Sequence, residues 1–477
     1  MSKECFALVF SDLHLGEEDS VFMSADEGSS RKGLKDGVNL AYLEALKDHL
    51  SSFVDPSTVR YLILAGDAVD LSLARRKRAF KAFRTFLEGM KDFFREAVVY
   101  LPGNHDHHLW VALQEEALIF QKIRAGKDVE PYYHALCPRL SEKDGLKIPA
   151  GYTISKPYGK KTFLYYLLPP EARKEKRGFL VAYPNLYVET GRFLLVTHGH
   201  FFEETWTLFT DVFRRSLRKM SLKRLSFKKL EQINSPFIEF GWYSLGQAGE
   251  LSLLIERLWD ELHAGGPGPL TESVLEDLIQ YLDEKLTPEH KAHRGLWGRF
   301  KDALWHLEAG LSELSSDAAL KIFEEVIKHL ILPRLVPEEV PRKGSALRHH
   351  PKILSQEKTR ERIARYLEMA LPAFPKLDTL IFGHTHVPFD NGKLEIETPG
   401  GPRPVTCYNT GGWVTDVYEA DHLATARPFI FALSGKGIET IQVPWPSYDE
   451  FEHVLEGIHE ESEARKRVKD LVWEKLS

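Results

Sequence analysis

Seven side chains suited to holding metal ions stand at the ends of strand-like runs in this chain. Asp12 and His14 follow Phe6-Ala7-Leu8-Val9-Phe10, Asp67 follows Val59–Ala65, and Asn104 follows Ala97–Leu101. His198 follows Arg192–Thr197, and His384 and His386 follow Leu377–Phe382. Apolar, β-branched runs closed by Gly, Pro or polar residues read as buried strands. Open α/β sheets place their ligands at the carboxyl ends of such strands. Two Asp, one Asn and four His make a mixed nitrogen and oxygen set, which suits Mn, Fe, Zn or Co better than Ca. Seven ligands exceed what one tetrahedral ion takes and fit two ions sharing a carboxylate. Two ions about 3.5–4 Å apart would activate a hydroxide and polarise a phosphoryl oxygen for in-line displacement.

Around these seven lie residues with more than one reading. On an extended chain, Asp12 and His14 point the same way, as do His384 and His386; Asp12 and His14 also fit an ordinary solvent-facing turn. His105 is a candidate proton donor with Asp106 to orient it. Asp70 reads as the cap of a helix starting near Leu71, or as a carboxylate behind the ligands. His107 and His108 read as pocket rim or helix start. His200 stands beside His198 across Gly199, a pairing that favours a ligand site over a structural histidine.

The elements that must position these residues begin in the order β-α-β-α-β, the mark of a mostly parallel sheet. Helical spacing covers about Val38 to Leu50 and Arg75 to Phe94. Residues from about Gln114 to Gly178 follow no clear pattern. Phe179–Glu189 and Arg192–Thr197, joined by Thr190-Gly191, read as a hairpin. From Phe201 to about Pro375 the pattern turns helical, broken by Gly265-Gly266-Pro267-Gly268-Pro269 and by Pro333 to Pro341. Val405–Tyr408 is a further strand, Pro428–Leu433 and Gly437–Val443 form a closing hairpin, and Tyr448 to Leu476 is a terminal helix. The expected organisation is thus a core in two parts, 1–200 and 376–447, a helical insertion over 201–375, and a carboxyl-terminal helix over 448–477.

Bulk composition narrows the field. At 477 residues the chain exceeds one ordinary domain, and 43% hydrophobic with 28% charged residues is ordinary for a globular protein. A net charge of −6 gives no global attraction to nucleic acid or anionic membrane, so any such pull is local. The strongest local feature lies within Phe213–Leu230, where Arg214, Arg215, Arg218, Lys219, Lys223, Arg224, Lys228 and Lys229 meet no acidic residue. It reads either as a solvated helix face or as a cap attracting phosphate, anionic lipid or nucleic acid. Cys5, Cys137 and Cys407 form no CxxC pair, so neither a disulfide framework nor a cysteine zinc site is expected. Without a signal-peptide core or an apolar run of about 18 residues, a cytoplasmic protein is expected, at most peripheral to a membrane.

The series Asp12-x-His14, Gly66-Asp67-x-x-Asp70, Gly103-Asn104-His105-Asp106, His198-x-His200 and Gly383-His384-Thr385-His386 resembles the calcineurin-like metallophosphoesterases, with all five motifs in that family's order. Asn409-Thr410-Gly411-Gly412-Trp413 also resembles a segment often found after the last motif. The resemblance covers residues 1–200 and about 376–445. It implies an α/β four-layer α-β-β-α sandwich interrupted by the helical insertion. It further implies a first metal on Asp12, His14 and His386, a second on Asn104, His198 and His384, and Asp67 bridging. His105 would stabilise the transition state or protonate the leaving oxygen, steadied by Asp106. The implied activity is hydrolysis of a phosphodiester, phosphomonoester or pyrophosphate by two divalent ions, with Mn the best match.

Within the family, protein phosphatases usually carry Arg where this chain has Leu71. Ser11-Asp12-Leu13-His14-Leu15 and Gly383-His384-Thr385-His386-Val387-Pro388 look most like the bacterial hydrolases that include the UDP-diacylglucosamine pyrophosphatases. Those enzymes are shorter and commonly place Arg where His105 stands. A nuclease is the next expectation, with the basic run tracking a phosphate backbone. A non-catalytic scaffold of the same fold would be expected to lack ligands, and here every ligand position is filled.

Overall fold

A computed structural model of the chain describes residues 3–24, 34–72, 74–149, 162–203, 205–207, 210, 225–244, 357–398, 400–419, 422–425 and 427–476. Most of the expected helical insertion, and of the basic run Phe213–Leu230, lies outside these residues. Lys228 and Lys229 alone of its basic side chains are described.

The first strand, β1 (Ala7–Phe10), is followed by a short ribbon of β2 (Leu34–Lys35) and β3 (Val38–Asn39). Helix α1 (Leu40–Phe53) then starts, with Asn39 Oδ1 accepting from the amides of Ala41 (3.0 Å) and Tyr42 (3.2 Å). That side chain satisfies donors which a helix start leaves orphaned. Strand β4 (Tyr61–Leu64), helix α2 (Arg76–Gly89) and strand β5 (Ala97–Tyr100) complete the β-α-β-α-β opening. The strands β1, β4 and β5 pair in parallel and are buried along their whole length.

Helix α3 (His108–Gln114) and the short helices α4 (Gln121–Arg124) and α5 (Pro170–Lys174) flank β6 (Arg139–Ser141) and β7 (Gly145–Lys147), two strands the sequence pattern did not reveal. Beyond them, the expected Phe179–Glu189 hairpin arm is two strands in two different sheets. Strand β8 (Gly178–Val181) pairs in parallel with β5, the chain turns through Ala182-Tyr183-Pro184, and β9 (Asn185–Glu189) pairs antiparallel with β10 (Phe193–Thr197). Only the second half of the run therefore forms the hairpin. The apolar runs Phe179–Tyr183 and Leu186–Val188 on either side of Pro184-Asn185 read as one arm, because a strand buried on both faces carries no alternation.

After helices α6 (Phe227–Ile238) and α7 (Glu357–Ala370) the chain supplies β11 (Thr379–Phe382), β12 (Phe389–Ile396) and β13 (Arg403–Asn409). A ribbon of β14 (Thr415–Glu419) and β15 (His422–Thr425) and the expected hairpin of β16 (Phe429–Ser434) and β17 (Gly437–Gln442) follow. The terminal helix is two helices, α8 (Tyr448–Leu455) and α9 (Glu461–Leu476). Gly457, at φ 75°, separates them in a backbone conformation that glycine adopts freely.

One sheet has the order β17-β16-β1-β4-β5-β8 and the other β12-β13-β11-β10-β9-β6-β7. Each draws strands from both ends of the chain: β16 pairs with β1, and β11 with β10. Strand alternation divides the core. Val9, Ile63, Val99 and Leu180 of the first sheet cluster with Val188, Leu194, Val196 and Ile381 of the second. The alternate residues Leu8, Phe10, Leu62 and Leu64 join Leu46, Phe83 and Phe86 of α1 and α2, while Leu380 and Phe382 share a cluster with Ile363 and Leu367 of α7. The thiols of Cys5 and Cys407 are buried and that of Cys137 half-buried; burial pushes each up to about 12.

Phe431 sits in the cluster between the sheets, fully buried, with its ring edge-on to Tyr408 at 5.4 Å. Phe431→Ala is expected to lower unfolding free energy by about 3–5 kcal/mol, read from the urea midpoint at unchanged slope.

Candidate metal centre

The ends of β1, β4, β10 and β11, with the turn after β5, converge, and backbone geometry there departs from the sequence expectation. Asp12 (φ 53°), His14 (φ 46°), Asp67 (φ 48°), His384 (φ 66°) and His386 (φ 54°) are left-handed rather than extended. Each such residue costs on the order of 1–3 kcal/mol and persists only where its surroundings over-determine it. The loops do this for one another. The amide of Asp12 donates to Gly66 O (3.0 Å), that of His14 to Asp67 O (2.9 Å), and that of Gly383 to His198 O (2.9 Å). The His384 amide donates to the Asp12 carboxylate at 3.0 Å. Two glycines make room: a Cβ on Gly103 would strike Asp67 Oδ1 and the His198 ring, and one on Gly383 would strike Asp12 Oδ2 and Ser11.

Side chains gather into three groups whose ligand atoms lie within 4.8 Å of one another: Asp12, His14 and His386; Asp67, His198 and His384; and His14, Asp70 and His105. Asp12 Oδ1 is 3.3 Å from His386 Nε2, and Asp67 Oδ2 is 3.0 Å from His198 Nε2. Asn104 Oδ1 lies 3.0 Å from that same His198 nitrogen. Asp67 Oδ2 also lies 4.0 Å from His14 Nε2, which puts its carboxylate between the first two groups. All seven residues named from sequence therefore meet in one place.

This donor set fits divalent ions. His14 Nε2 is buried and has no hydrogen-bond partner among the described residues, an arrangement that native interiors otherwise avoid. Its other nitrogen, Nδ1, faces Asp70 Oδ2 (3.1 Å) and Glu17 Oε2 (3.2 Å). A carboxylate behind one imidazole nitrogen fixes the ring so that the other can bind a metal. Burial works against charge here, yet the Asp67 carboxylate holds His198 up at about 9, and His198 and His105 in turn hold Asp67 well below the usual carboxylate range.

The roles of two acidic residues differ from expectation. Asp70 is not a helix cap, since α2 starts at Arg76; its Oδ2 lies 2.7 Å from His105 Nδ1, and its Oδ1 accepts from the Ser72 amide at 2.9 Å. Asp106, expected to steady His105, instead accepts from the amides of Gly103, Ala68 and Val69 and from the Tyr100 hydroxyl. Having spent its oxygens on the turn, it leaves His105 to Asp70. Burial, with the nearby Asp67 charge, raises Asp106 to about 6. His200 is buried beside the second group, its Nε2 3.4 Å from the Tyr183 hydroxyl.

Sequence reasoning missed Glu17 and Ser72, whose partners come from loops it could not place, and it singled out the Asn409 segment without a role for Asn409 itself. Asn409 Nδ2 donates to Gly383 O at 3.0 Å and so holds the last motif. It also missed the partners of the histidines after His105. His107 precedes α3 as expected of a helix start, but its ring lies between Glu231 (Nε2 to Oε1, 2.8 Å) and Glu239, and Glu239 also meets His108 Nδ1 at 2.8 Å. The residues 227–244 are thereby tied to the turn that carries Asn104 and His105.

Residues 7–219 match the family model of the calcineurin-like phosphoesterases. That match, with the His and Asp clusters, supports metal-dependent hydrolysis of phosphate esters. His384 and His386 lie beyond the matched segment and reach the site through β11. No curated protein matches the chain. No helix among the described residues is long and apolar enough to cross a membrane.

The His107 arrangement has a pH signature. Burial lowers its pKa, but Glu231 and Glu239 outweigh this and raise it from 6.5 to about 10. A pKa raised on folding contributes stability that is complete below about 6.5 and is lost as pH rises through about 10. The melting temperature of the metal-free protein is expected to fall between pH 7 and 10.5, and to fall less in His107→Gln, as thermal unfolding at several pH values would read.

Proposed function

We propose that this protein is a binuclear metal-dependent phosphoester hydrolase. Asp12, His14 and His386 would hold one ion, Asn104, His198 and His384 a second, and Asp67 both. The observation that carries this reading is the Asp67 carboxylate, 3.0 Å from His198 and 4.0 Å from His14. A single ion would leave one of these histidine groups without a purpose for its buried nitrogens. Divalent ions bound there supply a nucleophile at neutral pH and stabilise charge on the phosphoryl group.

The chain supplies the rest. His105 is held through Nδ1 by Asp70 and by Ser72 Oγ at 2.8 Å, so its Nε2 is the nitrogen to serve the leaving oxygen. Burial opposes a charged His105, but Asp70 and Asp67 outweigh it and keep the ring protonated to higher pH than a free histidine. That suits a general acid. Asp106 acts at one remove, by fixing the Gly103–His105 turn. A mixed Asp, Asn and His set suits borderline divalent ions such as Mn, Fe, Zn or Co, and Mn is the one proposed from the family resemblance. The two sheets with helices against their outer faces agree with a four-layer sandwich, with residues 201–375 as its insertion.

Hydrolysis of bis-p-nitrophenyl phosphate and p-nitrophenyl phosphate with added Mn tests the reading and separates diester from monoester preference. Asp67→Ala is expected to lower turnover by more than about a hundredfold, beyond what loss of a residue behind a ligand costs. His105→Ala should lower kcat by about 10²–10⁴-fold while two Mn ions per chain remain by metal analysis. Full turnover in Asp67→Ala would refute the binuclear reading.

A further inference from the structure

Helix α9 carries three side chains with polar contacts in one row. Arg465, Lys469 and Trp473 are spaced four residues apart and so share a helix face. All three reach the loop that leaves the site after His14. Arg465 Nε lies 2.6 Å from Asp19 Oδ1 and its guanidinium donates to Glu18 Oε2 at 2.8 Å. Lys469 Nζ donates to Met23 O at 2.9 Å and to Glu18 O. Trp473 Nε1 donates to Val21 O at 2.7 Å.

The row is more than a way of docking the helix. Ala464, Val468 and Val472, at the same four-residue spacing, are fully buried and already give α9 an apolar seam. Lys469 is fully buried too, which is costly for an ammonium group; burial drags it down to about 7 against the opposing pull of Asp19. Its two acceptors are main-chain carbonyls of one loop, so what it secures is the path of that loop.

The loop in turn secures the first ligand pair. Ser20 Oγ donates to Leu13 O at 2.7 Å, the Glu17 amide donates to His14 O at 3.1 Å, and Glu17 Oε2 meets His14 Nδ1 at 3.2 Å. The Val21 amide donates to Trp413 O (2.8 Å), and the Trp413 amide donates to Asp12 O (3.0 Å). Both Asp12 and His14 sit at positive φ, where a backbone relaxes unless it is held.

We propose that Arg465, Lys469 and Trp473 are positioning residues that hold the first metal site in its binding geometry through the loop Leu15–Ser24. This rests on the binuclear reading above and goes beyond it, by making the carboxyl-terminal helix part of one ion's site and not of the other's. Besides the bonds of their amides to Gly66 O and Asp67 O, His14 is bonded by this loop directly and Asp12 through Trp413. Asn104, His198 and His384 follow β5, β10 and β11 and lie outside this chain of contacts.

Calorimetric titration of Mn into metal-stripped full-length protein tests it in two backgrounds. Asn104→Ala leaves the first site as the better one, and His14→Ala leaves the second. Adding Lys469→Met is expected to weaken Mn binding at least about tenfold in the Asn104→Ala background and by less than about threefold in His14→Ala. Equal weakening in both, or none in either, would overturn the proposal. Should Lys469→Met not fold, Trp473→Phe removes one donor and keeps the ring, and the same asymmetry in smaller measure is required of it. Wild-type protein that takes up fewer than two Mn ions would instead overturn the binuclear reading, and the helix's role with it.

Discussion

The contact between Asp67 and His198 joins the two sheets at their functional end. Asp67 follows β4 of one sheet and His198 follows β10 of the other, and their side chains meet at 3.0 Å with both almost wholly buried. Asp12 and His384 make a second junction of the same kind, a carboxylate after β1 accepting from an amide after β11. The apolar cluster between the sheets sets their separation, and these junctions set their register at the rim. A shift of one sheet by one residue would turn Val196 and Ile381 out of the core and draw the histidines away from the carboxylates. Packing and chemistry are thus fixed by the same alignment.

Much of the site was legible because its residues are punctuation. Gly and Pro closing apolar runs mark strand ends, and the polar residue that follows is where a ligand belongs. The seven ligand-type residues needed nothing further. The backbone conformation was not legible: Asp12-x-His14 and His384-Thr385-His386 suggest simple alternation, whereas the structure bends both through left-handed residues. Pairing was not legible either. Whether Asp70 or Asp106 backs His105 depends on where the loops after β4 and β5 send their amides, and the amides of Ala68, Val69 and Gly103 with the Tyr100 hydroxyl claim Asp106.

The fold was legible in proportion to strand length and burial. The parallel strands β1, β4 and β5 stand out, and so does the β16–β17 hairpin. Three-residue strands such as β6 and β7 are too short for any period to show. Strand β12 carries Asp390-Asn391-Gly392, residues of a turn, and has a bulge there at the sheet edge. An edge strand with exposed charges and a bulge resists pairing with another molecule, so the composition that concealed it serves the protein. Pro184-Asn185 interrupts a run that is apolar on either side, and only the pairing of its two halves with different partners reveals the change of sheet.

The raised pKa of the three thiols, two buried and one half-buried, has a practical side. With Cys5, Cys137 and Cys407 each pushed up to about 12, almost none of their sulfur is thiolate near neutral pH. Air oxidation and alkylating reagents act on thiolate, so the purified protein should keep without dithiothreitol or mercaptoethanol. Those reductants chelate transition metals and would compete with the protein in any titration. The same inertness keeps sulfur from competing with imidazole and carboxylate for an incoming ion.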